Sequence, residues 1–294
     1  MGVEAGEDEN REGVRMSDYH SDYTHLSNSM LTVLKRSPKE FHQRYIAKTW
    51  IDKETEAMKF GSLLHTMCLE PHKIEHRYAI APKVDKRTTA GKAAWSEFID
   101  ANKGKTFVSP DDLQQASRCA ETLMQHDQVG QLLLYSDVHE AQIEQALTFS
   151  IEGTPCKSKP DWLSVPLRLI VDVKTTKDVS PDLFAKSVAA YGYHRQAAMY
   201  IHAAYEVFGI NARFIFACVT KEPPYEVACY ELSTPALQMG MSELLSLVDD
   251  YEQRKARNNW NASYSTGIVP LSLPRWYKGQ ILTLDETDYE EQSV

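Results

Sequence analysis

The sequence predicts an α/β protein in which a mixed central β-sheet is flanked by helices and preceded by a helical N-terminal part. Apolar residues recur at helical spacing through the first half of the chain, whereas residues 138–176 alternate in the manner of strands. Two further strand-like segments then lie between long helical ones. With 294 residues, the chain is long enough for one large domain or two small ones.

Capping residues and prolines mark the helices of the N-terminal part. Ser27 has the side chain of a helix N-cap, and Ser37-Pro38 ends one helix and begins the next. Residues 56–69 predict a largely buried helix, in which Gly61 costs about 1 kcal/mol relative to Ala and therefore indicates close packing. Further helical segments are predicted at 93–99 and 110–134.

The second half is predicted to follow the order β-β-β-α-β-β-α. Ser180-Pro181 is typical of a helix start, and Gly209 is typical of a helix end. Strands are predicted at Val138–Ile151, Cys156–Leu163, Leu169–Lys174, Arg213–Thr220 and Tyr225–Glu231, and helices at 180–208 and Pro235–Ala256.

Charge is concentrated at the two ends of the chain. The net charge is −9, of which residues 1–15 carry −3 and residues 281–294 carry −5, so the rest of the chain is nearly neutral and composition does not exclude a polyanionic partner. We predict disordered acidic tails at 1–18 and 281–294 around one domain at 19–280. Its parts are a helical region (19–135), a sheet core (136–256) and a C-terminal segment (257–280).

Several classes of protein are excluded by pattern. No apolar run approaches the roughly 18 residues of a membrane span, and the acidic N-terminus lacks the features of a signal peptide. The five cysteines are widely spaced and contain no CxxC pair, which is typical of reduced thiols rather than of a zinc or disulfide framework. These observations predict a cytoplasmic protein.

Two short motifs carry the candidate chemistry, Lys159-Pro160-Asp161 and Asp172-Val173-Lys174. Because side chains alternate along a strand, Asp172 and Lys174 share one face, and Asp161 reaches the same point if the preceding strand pairs with theirs. Converging carboxylates repel one another unless a cation lies between them, and oxygen ligands suit Mg²⁺ or Mn²⁺. A lysine beside the ion can hold water and offset developing charge, so the pattern predicts metal-assisted phosphodiester hydrolysis.

A purely structural interpretation of the same residues is an ion pair between Asp172 and Lys174, with Asp161 in a turn. Asp172, however, interrupts the apolar run of residues 169–173, where an unpaired charge would cost several kcal/mol. A core strand that carries both signs of charge therefore favours the metal site.

With ten residues between Asp161 and Asp172, the motifs resemble the PD-(D/E)xK nuclease superfamily, and more closely the nuclease domains of the exonuclease VIII (RecE) family. Further segments resemble that family in the same order, and the resemblance runs from about Ser27 to Lys278. It implies a PD-(D/E)xK core and an exonuclease that degrades one strand of a DNA duplex, 5′→3′, to leave 3′ overhangs for recombination. These segments are residues 60–65 and 69–71, 172–176, 193–200, and 271–276.

The resemblance also implies roles for individual residues. The implied ligands of Mg²⁺, or of Mn²⁺ as a substitute, are His65, Asp161, Asp172 and the Val173 carbonyl. The implied catalytic residues are Asp161 and Asp172, with Lys174 to position water and stabilise charge and with Gln196 and Tyr200 to orient the scissile strand. Glu144 is a possible additional acid on the first strand, where Glu140 competes for the role.

The implied partners are double-stranded DNA ends, a single-strand-annealing (RecT-like) protein and further copies of the chain in a ring, plausibly a tetramer. The residues predicted to contact DNA are Lys83, Lys86, Arg87, Lys92, Lys159 and Thr175. Two alternatives stay open: a structure-specific endonuclease or RecB/Cas4-type nuclease of the same fold, and a catalytically inactive protein that binds DNA ends. The dispersed cysteines count against the iron–sulfur cluster common in Cas4 relatives.

Overall fold

The computed structural model describes residues 19, 21–50, 54–261, 267–274 and 277. Contacts divide the chain into one unit that ends at Asn261 and a second that begins at Ala262. In the second unit, the described residues 267–274 and Tyr277 contain no helix or strand. The predicted acidic tails, and residues 275–276 of the C-terminal motif, lie outside the described residues.

The N-terminal part is helical, as predicted. The Ser27 side chain caps the first helix by accepting a hydrogen bond from the Met30 N–H, and Ser37 caps the second. The helices are α1 (Asn28–Arg36), α2 (Pro38–Phe41), α3 (Glu56–Leu69), α4 (Ile74–Arg77), α5 (Thr89–Ala101), α6 (Pro110–Met124) and α7 (Val129–Leu134), with a π-helical turn at His42–Ile46 and a 3-10 turn at Pro71–Lys73. Two short strands, β1 (Tyr78–Ile80) and β2 (Thr106–Val108), pair in parallel.

The second half supplies the central sheet and the helices that cover it. Its strands are β3 (Ala141–Ile143), β4 (Leu147–Ile151), β5 (Thr154–Ser158), β6 (Trp162–Ser164), β7 (Leu169–Thr176), β8 (Arg213–Thr220) and β9 (Val227–Glu231). Its helices are α8 (Pro181–Tyr191), α9 (Tyr193–Phe208) and α10 (Thr234–Arg257). Among the described helices, none has both the length and the apolar character needed to cross a membrane.

The central sheet has the strand order β3-β6-β7-β8-β9 and is mixed, as predicted. Strands β7 and β8 run parallel, whereas the other neighbouring pairs are antiparallel. The strands β4 and β5 form a separate antiparallel hairpin. Parallel strands need a crossover connection. Between β7 and β8 this crossover consists of α8, the turn at Gly192 and α9.

Apolar side chains bury both faces of this sheet. Val171 and Val173 of β7 pack on one face with α3, α6 and α7, while Ile170 packs on the other with α8 and α9. A third apolar cluster joins α1 and α2 to α9 and α10. Helices α9 and α10 approach closely at Gly240, where an added Cβ would lie 2.2 Å from the His194 carbonyl oxygen.

Several predicted boundaries are wrong. The predicted strand at 138–151 is broken at Glu144, and the one at 156–163 is broken at residues 159–161. The predicted helix at 180–208 is divided at Gly192, whose left-handed backbone (φ 69°) ends α8. Close packing at Gly61 is also wrong, because an added Cβ there would meet no atom within 4 Å.

Candidate active site

The pairing of β6 with β7 brings the two predicted motifs together. Trp162 lies opposite Val171, so Asp161 and Asp172 are opposed one step further along the ladder. One carboxylate oxygen of Asp161 accepts a hydrogen bond from the Val173 N–H at 2.8 Å, which fixes the side chain against β7. Both aspartates are buried, at 6% and 1% exposure. Buried carboxylates of this kind require partners that carry positive charge.

His65 and Glu144 converge on Asp161, the first member of this pair. His65, from α3, places Nδ1 3.4 Å from Asp161 Oδ1 and 3.6 Å from Glu144 Oε1. One ligand atom from each of the three residues lies within 4.8 Å of the others. The other imidazole nitrogen, Nε2, lies 2.9 Å from the Val173 carbonyl oxygen. We call His65, Glu144 and Asp161 the acid–histidine cluster.

Glu144 reaches the cluster because the backbone turns sharply at this residue. It lies between β3 and β4 with a φ of 51°, a left-handed conformation that side chains other than glycine and asparagine rarely adopt. Its N–H donates to the Asp161 carbonyl oxygen at 3.1 Å, and its carboxylate forms an ion pair with Lys159. Strained backbone of this kind is concentrated at functional sites.

A second group of side chains surrounds Asp172. Gln196 of α9 donates an amide hydrogen bond to Asp172 Oδ1 at 2.8 Å, and Lys174 Nζ lies 2.6 Å from Asp172 Oδ2. The Lys174 ammonium also lies 4.9 Å from the ring centroid of Tyr193. Tyr200, one turn beyond Gln196, is partly buried, and its hydroxyl interacts with that amide. Helix α9 thus orients the carboxylate that Lys174 neutralises.

The pKa values of these groups reflect burial and close charges. Burial raises the pKa of Asp161 to about 7, with Asp172 adding to the effect and His65 opposing it. Burial alone would lower the pKa of His65, but the Asp161 and Glu144 carboxylates raise it to about 9. Burial would raise the pKa of Glu144, but contacts with His65 and Lys159 lower it to about 2. The pKa of Lys174 lies above its usual value because Asp172 and Asp161 outweigh its burial. The protonated His65 imidazole therefore compensates the charge of the Asp161 and Glu144 carboxylates.

These residues line one cleft of about 570 Å³. It also contains side chains that the sequence analysis missed, among them Tyr19, Ser62 and Arg77. Arg77 lies 2.8 Å from the buried Glu70 carboxylate and adds a guanidinium to the lining. No local pattern marks it, because its place depends on the fold of α3 and α4 around the cleft.

The donor set of the cluster fits a hard divalent cation. Two carboxylates and one imidazole lie within reach of a common point, and sites rich in oxygen ligands suit Mg²⁺ or Mn²⁺. The Val173 carbonyl oxygen contacts the other imidazole nitrogen, Nε2. Within the described residues, no cysteine belongs to the group. Asp172 lies beside this set rather than in it, since both of its oxygens contact Gln196 or Lys174.

The residues predicted to contact DNA occupy different places. Lys159 lines the cleft, and Thr175 follows Lys174 on β7 and lines a second cleft described below. The other four residues are exposed, lie on or before α5 and line neither cleft. They are Lys83, Lys86, Arg87 and Lys92. Three of them have local partners: Lys83 pairs with Asp111, Arg87 pairs with Asp85, and Lys86 lies over Trp95.

Comparison with solved structures finds chains of similar fold. A candidate exonuclease from Eubacterium rectale aligns with a TM-score of 0.59 and 15% identity, over 89% of this chain and 97% of that one. A phage-related exonuclease from Haemophilus somnus aligns with a TM-score of 0.31 and 13% identity, over 68% of this chain and 94% of that one. Among curated proteins, no sequence matches the chain.

A family model matches residues 27–266, which include every residue of the acid–histidine cluster and of the group around Asp172. The model is that of the PDDEXK-like domain of unknown function (DUF3799). The chain therefore belongs to this PDDEXK-like family.

Proposed function

We propose that this PDDEXK-like protein is a Mg²⁺-dependent exonuclease that hydrolyses phosphodiester bonds at the ends of double-stranded DNA. The observation that carries the proposal is the convergence of His65, Glu144 and Asp161 beside the Asp172–Lys174 pair in one cleft. Fold likeness to exonucleases supports the reaction class.

In this site the residues that would hold the ion are His65, Glu144 and Asp161, with the Val173 carbonyl and Asp172 adjacent. When bound, Mg²⁺ supplies a Lewis acid for the phosphate and lowers the pKa of a bound water molecule. Hydrogen bonds already fix two of the acids, since the Val173 N–H holds Asp161 and Gln196 holds Asp172. Such preorganisation means that little reorganisation is needed during the reaction.

Lys174 is the residue suited to act on the reacting phosphate. Its ammonium stays charged over the whole working range of pH, because the neighbouring carboxylates stabilise it. Positioned beside Asp172, it can hold the attacking water and offset the charge that develops on the phosphoryl oxygens. Gln196 and Tyr200 act through Asp172 and are positioning residues.

The finer parts of the proposal derive from the resemblance to RecE-type nucleases. They are 5′→3′ polarity, the production of 3′ overhangs for recombination, a single-strand-annealing partner and a ring-shaped homo-oligomer. Polarity is tested with duplexes that carry a label at one 5′ or one 3′ end, and assembly is tested by light scattering.

The reaction itself is tested with matched linear and closed circular duplexes, in Mg²⁺ and in EDTA. We expect nucleotides to be released from the linear duplex in Mg²⁺ alone, while the closed circle stays intact. Cleavage of the circle would instead support an endonuclease. Binding of duplex ends with no hydrolysis in Mg²⁺ or Mn²⁺ would support an inactive end-binding protein.

A further inference from the structure

A second cleft, of about 1020 Å³, lies next to the catalytic lysine and takes no part in the reaction described above. It is bordered by the N-terminal turn of α3, the end of β7, and α8 with the start of α9. Its characteristic lining residues are Met58, Thr176, Lys177, Tyr191, Tyr193 and Lys221. The two clefts adjoin at Lys174, which lines the first and lies 4.9 Å from the ring of Tyr193 in the second.

Large apolar surfaces in the second cleft are open to solvent. Tyr191 is 62% exposed, Met58 58% and Leu183 43%. The left-handed turn at Gly192 separates the two tyrosines and leaves their rings 5.6 Å apart, tilted by 35°. Tyr193 is fixed by its contact with Phe216, at 5.7 Å between ring centroids. The cleft thus presents one exposed aromatic ring beside an anchored one, as in stacking platforms for bases.

The lining of the second cleft contains two lysines and two acids. Lys177 and Lys221 form no ion pair within the described part of the chain, and Lys221 lies over the ring of Phe60 at 4.3 Å. The two acids of the lining already have other contacts. Asp178 accepts a hydrogen bond from the Ser180 N–H at 2.7 Å, and Glu222 accepts one from Gln115 at 3.1 Å. The lysines are therefore available to a ligand that carries phosphate.

We propose that the second cleft binds an unpaired nucleobase of the DNA strand whose phosphodiester lies at Asp172 and Lys174. The base stacks on Tyr191, and Lys177 and Lys221 contact the adjoining backbone. This inference rests on the proposed nuclease function, because it takes the position of the strand from the first cleft. An aromatic surface with flanking cations is the chemistry that recognises single-stranded nucleic acid without sequence preference.

The test uses the full chain in EDTA, where hydrolysis is prevented, and a duplex with a few unpaired terminal nucleotides that include 2-aminopurine. We expect binding to quench the 2-aminopurine fluorescence, because the base stacks on an aromatic ring. Tyr191→Ala should abolish the quench and weaken binding roughly 5- to 100-fold. Tyr191→Phe should retain both, and Tyr205→Ala, which removes another exposed tyrosine, should change neither.

Two results would overturn the inference. One is a quench and an affinity in Tyr191→Ala equal to those of the wild type. The other is a Tyr191→Ala variant that keeps the quench of the wild type but changes its oligomeric state in light scattering. That result would assign this surface to a second copy of the chain. A thermal melt of each variant checks that it is folded. Hydrolysis by the wild type in Mg²⁺ is measured separately, so that failure of the nuclease proposal is distinguished from failure of the base site.

Discussion

Charged side chains are arranged in two contrasting ways in this chain. In the first cleft, charges from α3, from the β3–β4 turn and from β7 converge, and all of them are buried or partly buried. Around α5, the basic residues are exposed, and several of them pair with nearby acids or rings, as Arg87 does with Asp85 at 92% side-chain exposure. Exposed pairs contribute little to stability or to binding, whereas buried ones require a specific set of partners. The contrast indicates that burial, rather than the number of charges, locates the site.

The largest expected effect is on catalysis, where the first cleft differs most from the surface. Lys174→Ala should reduce nucleotide release from linear duplex about 10²- to 10³-fold, because it removes a charge that stabilises the transition state. Lys103→Ala removes an exposed lysine that pairs with Asp100, and it should leave the rate unchanged. Equal rates for Lys174→Ala and the wild type in Mg²⁺ would contradict the role of Lys174.

The next effect is on stability and compares a buried arginine with an exposed one. Arg195, 1% exposed, contacts Asn28 and Thr32 of α1 and Glu243 of α10. Arg195→Met should lower the free energy of unfolding by about 1–3 kcal/mol, because it removes the hydrogen bonds that join this buried guanidinium to partly buried polar groups of α1 and α10. Arg87→Met should have no measurable effect. The measurement is denaturant unfolding of both variants. Equal unfolding midpoints would contradict the expectation that only the buried arginine contributes to stability.

A smaller effect concerns acid stability through Glu243. Burial would raise the pKa of this carboxyl, but Lys35 and Arg195 outweigh it and hold the pKa below its usual 4.5. A carboxyl with a lowered pKa in the folded chain stabilises it above the unfolded value, and this contribution is lost as the pH falls through the folded value. The wild type should therefore have a higher melting temperature than Glu243→Gln at neutral pH. The difference in melting temperature should shrink below about pH 4.5. Melting curves over a pH series test this, and a constant difference would argue against it.

The smallest expected effect distinguishes two lysines predicted to contact DNA. Lys159 lines the first cleft, whereas Lys83 pairs with Asp111 on the surface. Lys159→Ala should weaken duplex binding. It should also reduce the slope of log affinity against log salt concentration by about 1, the value for one lost phosphate contact. Lys83→Ala should change neither quantity. Anisotropy titrations in EDTA over a salt series measure the affinity and its salt dependence. An equal loss of affinity in the two variants would indicate that the α5 region also contacts DNA.

Local patterns predicted the parts of the site that lie close together in sequence. The alternation around Asp172 and Lys174 predicted that both share one face, and the 2.6 Å contact between them agrees with it. Asp161 was expected beside them if the preceding strand paired with theirs, and the β6–β7 register shows that pairing. His65 contacts Val173 across 108 positions, so no periodicity could indicate it, and only the resemblance did.

Other features depended on the backbone rather than on residue type. The left-handed turn at Glu144 interrupts a segment whose alternation is typical of one continuous strand, and Glu140 could not be distinguished from it by pattern. The break at Gly192 lies inside a continuous helical pattern. Arg195 lies on α9 and contacts α1 and α10, so its burial follows only from the packing of these helices.

We propose that the acid–histidine cluster is the metal centre of a nuclease. Its most direct test is the rate of nucleotide release from linear duplex across Mg²⁺ concentrations, for the wild type and for Glu144→Gln, which keeps the shape of the side chain. The wild type should act only with the divalent cation, and Glu144→Gln should require about 10- to 100-fold more Mg²⁺. Release in excess EDTA, or the same Mg²⁺ dependence in both proteins, would contradict the claim.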